Sequence, residues 1–174
     1  MEYSSDIKKV LVIDLDVHQG NGNAVLFQND DRVFTFSVHC TENIFSKKQQ
    51  SNIDVELKAG VNDAEYLAVL EYWLPWLAEN VRPDLVFYQA GVDILDSDRL
   101  GRMNITRQGA RKRNNLVYDC VRTLLPDARL VITMGGGYPK DPEVRLLFNT
   151  FHFSFFEHYS YLIFTELMNF INIL

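Results

Sequence analysis

Val10-Leu11-Val12-Ile13-Asp14-Leu15-Asp16-Val17-His18-Gln19-Gly20-Asn21-Gly22 is the stretch on which the fold of this 174-residue chain turns. It opens with four consecutive aliphatic residues and no polar alternation, the pattern of a strand buried on both faces of a parallel sheet. Acidic residues begin where that run ends. The pattern returns in Val33-Phe34-Thr35-Phe36-Ser37-Val38, in Leu85-Val86-Phe87-Tyr88-Gln89 and in Leu130-Val131-Ile132-Thr133. Two segments of helical period lie between the last three runs. Asp63 to Glu79 carries Tyr66, Leu67, Leu70, Trp73, Leu74 and Leu77 on one face, and Thr106 to Leu125 carries Leu116, Val117, Val121, Leu124 and Leu125. Thr106 reads as an N-cap. Strands alternating with helices of this length predict an α/β fold, a mostly parallel sheet flanked by helices and joined by right-handed crossovers. No internal repeat or Gly/Ser linker divides the chain, so residues 1–174 read as a single domain.

Composition narrows the class. With 47% hydrophobic and 23% charged residues the chain is globular rather than disordered or fibrous. Lys and Arg number 17 against 23 Asp and Glu, for a formal charge of −6, and no basic stripe tracks a phosphate backbone, so nucleic acid is not an expected direct partner. Cys40 and Cys120 are too few and too far apart for a disulfide framework or a zinc knuckle, and both read as buried small apolar groups. Met1 to Lys9 is polar and the run from Val10 to Leu15 is too short for a signal core, so a cytoplasmic location is expected, or a nuclear one in a eukaryotic source. Glu157 and Glu166 interrupt the apolar tail from Leu146 to Leu174, leaving no membrane span; Phe148, Phe151, Phe155, Phe156 and Tyr159 there suit one face of a buried helix.

Ligands of such sheets bind beyond the carboxyl ends of the strands. In extended backbone Asp14, Asp16 and His18 project to one side, bringing two carboxylates and an imidazole within reach of one cation. After the third run, Gly91 lets the backbone bend so that Asp93 faces the same crevice. After the fourth, Gly135-Gly136-Gly137-Tyr138 is a turn that carries backbone close to a ligand and presents a phenol. An Asp, His, Asp set leaves positions open for water or substrate and suits Zn²⁺, with Fe²⁺ or Mn²⁺ as oxygen-tolerant alternatives.

The three motifs Val12 to Gly22, Tyr88-Gln89-Ala90-Gly91-Val92-Asp93 and Gly135-Gly136-Gly137-Tyr138 occur in order, and together they resemble the zinc-dependent histone deacetylase and acetylpolyamine amidohydrolase superfamily. Phe45-Ser46-Lys47-Lys48, Ser51-Asn52-Ile53-Asp54 and Asp98-Arg99-Leu100-Gly101-Arg102 are similar to its class IV and related bacterial branch. The likeness runs from about Val10 to Lys140. It implies an arginase/deacetylase-like fold and hydrolysis of an N-acetylated lysine, or of a small acetylated amine, by metal-activated water. By the resemblance, Asp16, His18 and Asp93 hold zinc and Tyr138 stabilises the oxyanion. A structural potassium ion takes the Asp14 carboxylate, the Ser37 hydroxyl and backbone carbonyls that include that of Val38. Gly91, Gly136, Gly137 and the tunnel-lining aromatic Phe45 border the substrate.

Family members also use a tandem His-His pair as general base, placed well before the first motif. Here the histidines are His18, His39, His152 and His158, no two adjacent. The N-terminal part of the fold is therefore expected to be missing, turnover to be impaired, and an exposed sheet edge to call for a protein partner or a second copy. The rival readings are a non-catalytic metal- or partner-binding remnant, and a ureohydrolase of the same fold. His39 reads as a satisfied structural histidine, Trp73 and Trp76 as core anchors, and Arg111-Lys112-Arg113 as the solvated face of a helix.

Overall fold

The computed structural model describes residues 5–44 and 46–139, together with the backbone of 162–165. The four apolar runs form β1 (Val10–Asp14), β2 (Val33–Cys40), β4 (Leu85–Gln89) and β5 (Arg129–Thr133), and two further strands join them, β3 (Ile53–Leu57) and β6 (Leu162–Thr165). Every pairing is parallel and the order is β3-β2-β1-β4-β5-β6. Among the described residues three helices connect them: α1 (Asn21–Phe27), α2 (Asp63–Val81) and α3 (Arg107–Leu124). The α/β architecture is as expected. The tail is corrected at one point, since Leu162-Ile163-Phe164-Thr165 is extended and not helical. Its run of β-branched and aromatic residues favours extended backbone, and β5 supplies the ladder it pairs with. Phe148, Phe151, Phe155, Phe156, Tyr159, His152 and His158 lie outside the described residues.

Alternation along β1 explains the layers. Leu11, Ile13 and Leu15 face the main core with Phe36, Val38, Val86 and Tyr88 of the neighbouring strands, Tyr66, Leu70, Leu74 and Leu77 of α2, and Val117 and Val121 of α3. Val10 and Val12 face the other way, with Val33, Leu85, Phe87 and Phe27 of α1. Full burial of one such aliphatic side chain stabilises the fold by about 1.5–3 kcal/mol.

The helices start where side chains fix them. Asn62 caps α2 by accepting from the amides of Ala64 and Glu65 at 2.9 and 3.2 Å, while Glu65 accepts from the Asn62 amide at 3.3 Å. Thr106 caps α3 as expected, accepting from the Gly109 amide at 3.0 Å, and its own hydroxyl and amide donate to Asp63 at 2.6 and 2.8 Å. The first turns of α2 and α3 are thereby tied together. The chain runs outward from β1 through β2 to β3, then returns through α2 to place β4 on the other flank of β1. The carboxyl ends of β1 and β4, paired to Asp14 and Gln89, therefore flank a switch point, where α/β sheets open a crevice for ligands.

Candidate metal centre

At that switch point Asp16, His18 and Asp93 each offer a ligand atom, and the three atoms lie within 4.8 Å of one another. β1 ends at Asp14, and the bend that follows turns Asp16 and His18 toward the loop after β4. Each carboxylate is held by backbone from another segment. Asp93 Oδ1 accepts the Val17 amide at 3.0 Å, and Asp16 Oδ2 accepts the Gly136 amide at 2.8 Å. His18 Nδ1 faces both acids, 3.0 Å from Asp16 Oδ1 and 3.2 Å from Asp93 Oδ2. Asp93 is fully buried, yet its Oδ2 accepts no well-formed hydrogen bond among the described residues. A buried acid oxygen, a second carboxylate and an imidazole nitrogen converging on one point are the donors that a divalent cation of the zinc type requires, so the residues fit such an ion.

The charges respond to this crowding. Burial alone would lower the His18 pKa, but the two carboxylates more than offset it and raise it to about 9. Burial raises Asp93 to about 6, with the neighbouring Asp16 adding to the effect. Asp16 sits below its ordinary value despite its burial, because His18 and the Gly136 amide stabilise the charged form. Asp14 is raised well above the carboxylate range, first by burial and then by Asp16.

Asp14 does not join the three converging side chains, although simple alternation would place it beside Asp16 and His18. As the last residue of β1 it keeps the strand geometry, and the chain beyond it turns away. Its side chain is buried beneath the cluster: Oδ1 accepts the Asp16 amide at 3.2 Å, and a methyl on Gly20 would overlap the other oxygen. Ser37 is paired with Asp14 in the ladder and lies beside the same loop, its hydroxyl accepting the Gly20 amide at 3.4 Å. Val38 follows in β2, fully buried.

The glycines of the second and third motifs make close approach possible. A methyl on Gly91 would strike Asp16, and one on Gly136 would strike Asp93. One on Gly137 would sit 2.6 Å from a Val92 methyl. Gly136 is laced in further by its carbonyl, which accepts the Val92 amide at 2.7 Å. Tyr138, half-buried, follows on the same turn, held by its amide donating to Asp98 Oδ2 at 2.6 Å and its carbonyl accepting the Arg99 amide at 3.1 Å. Phe45 lies outside the described residues. Beside His18 a cavity of about 160 Å³ is bordered by Gln19, Asn21, His39, Asn43 and Lys48.

Several residues that organise this region have roles that the sequence reading did not assign or assigned differently. Asp98 takes the amides of Leu100 and Gly101 on one oxygen, both at 2.8 Å, and that of Tyr138 on the other. Gln19 clasps Gln49 through both ends of its amide and also reaches Asp54. His39 is only partly satisfied: Nδ1 lies 3.0 Å from the Ser37 hydroxyl, while its buried Nε2 has no partner among the described residues. Trp73 packs against Phe36, but Trp76 is at the surface, so only the first is a core anchor. Arg113 is fully buried, contrary to the solvated face expected for it, because it falls on the same side of α3 as Ala110, Val117 and Val121.

The sheet is parallel and the Asp, His, Asp cluster stands at its switch point. The histone deacetylase domain model matches residues 1–150, and the chain belongs to that family. It is 46% identical over 135 residues to an uncharacterized protein of Picosynechococcus sp., covering 77% of this chain and 44% of that one. It is 37% identical over 137 residues to histone deacetylase 2 of Arabidopsis thaliana, covering 77% and 35%. Among solved structures it resembles the crystal structure of the HDA15 HD domain, with a TM-score of 0.63 and 30% identity over 76% of this chain and 40% of that one. The chain thus spans less than half the length of these relatives.

Proposed function

We propose that Asp16, His18 and Asp93 hold a catalytic zinc ion and that the chain serves in hydrolysis of the acetyl group from acetylated lysine in a peptide, or from a small acetylated amine. The convergence of the three ligand atoms within 4.8 Å at the sheet's switch point carries this reading. A bound ion supplies Lewis acidity toward the amide carbonyl and acidifies water. Tyr138 donates its phenolic hydrogen to the carbonyl oxygen as that atom gains negative charge, a contact type worth about 3 kcal/mol in the transition state. Asp98 steadies Tyr138 through the backbone. Gly91, Gly136 and Gly137 let the chain approach the reacting group closely, and Phe45 is proposed as a substrate contact on the family resemblance alone. Asp14, Ser37 and the Val38 carbonyl hold a structural potassium ion, a role supported by the burial of a carboxylate that needs a cation or a proton beside it.

One observation favours a second reading, in which the 174 residues bind metal or a partner without turning over substrate. They contain no two adjacent histidines to act as base, and a missing general base costs about 10²- to 10⁴-fold in rate. The proposed partner, a protein or a second copy, lies along the sheet edge; neither nucleic acid nor membrane is part of the proposal, and the proposed location is cytoplasmic. The test is turnover of an acetyl-lysine peptide, with zinc content measured, by the 174-residue chain and by a version extended upstream to a His-His pair. Zinc bound by both, with turnover only in the longer, is the expected result. Robust turnover by the short chain overturns the impairment, and absence of zinc from both overturns the metal reading.

A further inference from the structure

Beneath the metal centre lies a charge that the proposed chemistry does not use. Arg113 is fully buried on α3, flanked in sequence by exposed Arg111 and Lys112. Among the described residues no acidic side chain pairs with it; its partners are peptide carbonyls and an amide, with the Tyr66 hydroxyl beside it. Nη1 donates to the Gly91 carbonyl at 2.6 Å and to the Leu15 carbonyl at 3.3 Å, and Nη2 donates to the Ala90 carbonyl at 3.4 Å. Nε donates to Asn114 Oδ1 at 3.1 Å, and the same oxygen accepts the Tyr88 hydroxyl at 2.6 Å. The guanidinium carbon stands 5.8 Å from the Tyr88 ring centroid. Burying a cation is costly unless its donors are satisfied, so a guanidinium placed here requires these carbonyls to stay where they are.

The identity of those carbonyls gives the residue its meaning. Leu15 is the neighbour of Asp16, and Ala90 and Gly91 lead directly into the loop that carries Asp93. The β1–β4 ladder ends at Asp14 and Gln89, followed by one more backbone bond, from the Leu15 amide to the Gln89 carbonyl at 3.1 Å. We propose that Arg113 is a positioning residue for the metal centre: its planar guanidinium bridges the carboxyl ends of β1 and β4 and thereby sets the separation of Asp16 from Asp93. The inference rests on the reading of these two residues as ligands of one ion. A lysine cannot substitute, because a single ammonium on a flexible stem lacks the fixed fork that spans two strands.

The test uses the 174-residue chain and its variants R113K and R113M, with Co²⁺ as the probe. Val121→Ala serves as a stability control, since Val121 lies eight residues further along α3, about 12 Å away along the axis. Three quantities are read: Co²⁺ affinity, the visible absorption of the bound Co²⁺, and hydrogen exchange of the Val17 and Val92 amides in the metal-free chain. Both Arg113 variants are expected to weaken Co²⁺ binding by about 10- to 100-fold, as loss of a residue supporting metal ligands does, to alter the absorption bands and to speed exchange at the two amides. The control lowers the unfolding temperature without these changes. If R113K and R113M bind Co²⁺ with unchanged affinity, spectrum and exchange, the positioning role is overturned. If R113M does not fold, R113K alone decides the matter. If the parent chain binds no Co²⁺, the metal reading fails, and the exchange measurement still decides whether Arg113 holds the two strand ends together.

Discussion

Replacing Gly91 by alanine places a methyl carbon where Asp16 already stands. A Cβ at position 91 would lie 2.8 Å from Asp16 Cγ and 2.9 Å from Asp16 Cα, and closer still to Oδ2. Carbon atoms are at rest about 3.5–4.0 Å apart, so the two segments must separate by roughly 0.6–1.2 Å. Rotating the Asp16 side chain relieves the first contact but not the second, which is backbone. Overpacking of this kind costs about 1–3 kcal/mol. For a chain of this size each kcal/mol moves the unfolding midpoint by about 2–4 °C, so G91A is expected to melt about 2–12 °C lower than the parent. The displacement also draws Asp16 Oδ2 away from the Gly136 amide now at 2.8 Å, so zinc affinity should fall by about 10-fold or more. Scanning calorimetry with chelator and with zinc reads both effects. Gly22→Ala is the matched control: its Cβ would meet nothing within 4 Å, and in α1 the substitution should be neutral or stabilising by about 0.5–1 kcal/mol. A G91A chain with the melting temperature and zinc affinity of the parent would refute the close approach of these two segments.

Zinc binding at pH 7.5 should release about one proton, because His18 with a pKa near 9 is protonated there while Asp93, near 6, is largely ionised; titration calorimetry in buffers of different ionisation enthalpy measures it, and no release would contradict the charge assignment. In the metal-free chain His18 is raised from 6.5 to about 9, so its contribution to stability is complete below pH 6.5 and is lost as the pH rises through 9. The difference between the pH–stability curves of the parent and His18→Ala should show that decline, and a flat difference would sink the account. Asp98→Ala leaves the amides of Leu100, Gly101 and Tyr138 without their acceptor and should cost about 2–4 kcal/mol in urea unfolding, with Asp98→Asn losing less. Asn62→Ala removes the cap of α2 and should cost about 1 kcal/mol, with no change in zinc affinity.

The sheet was legible because the buried strands of a parallel sheet carry uninterrupted apolar runs, and Val10–Ile13 and Leu85–Gln89 show the pattern plainly. β3 is an edge strand, and its Ile53-Asp54-Val55-Glu56-Leu57 alternation is a signal that a search for continuous runs passes over. α1 is two turns long and has no side-chain cap, so little in Asn21–Phe27 marks it. Asp16, His18 and Asp93 could be named from sequence because each follows an apolar run at the same edge. Asp14 separated from them because the strand ends there, and a period of two stops applying where a strand stops. Arg113 was hidden by its neighbours: a run of three basic residues reads as a solvated face, whereas helical spacing from Ala110 to Val117 puts the third of them in the core. Asp98 stood in a motif of the family resemblance, but its role was not legible, since a carboxylate that accepts only backbone amides leaves no partner residue type to recognise.

The hydrogen bond from the Gly136 amide to Asp16 joins residues 120 apart in the chain. At about 5–20 residues per second, the ribosome takes roughly 6–24 s to add the second after the first. For that interval Asp16 and His18 are already made, while the amide that restrains Asp16 does not yet exist. Val17 likewise waits for Asp93, 76 residues behind it. Contacts of such long sequence separation close late in folding. The geometry of the Asp16, His18 and Asp93 cluster is thus a product of the completed sheet, and nascent chains carry an acid- and imidazole-bearing segment whose arrangement is set only when synthesis has passed the third motif.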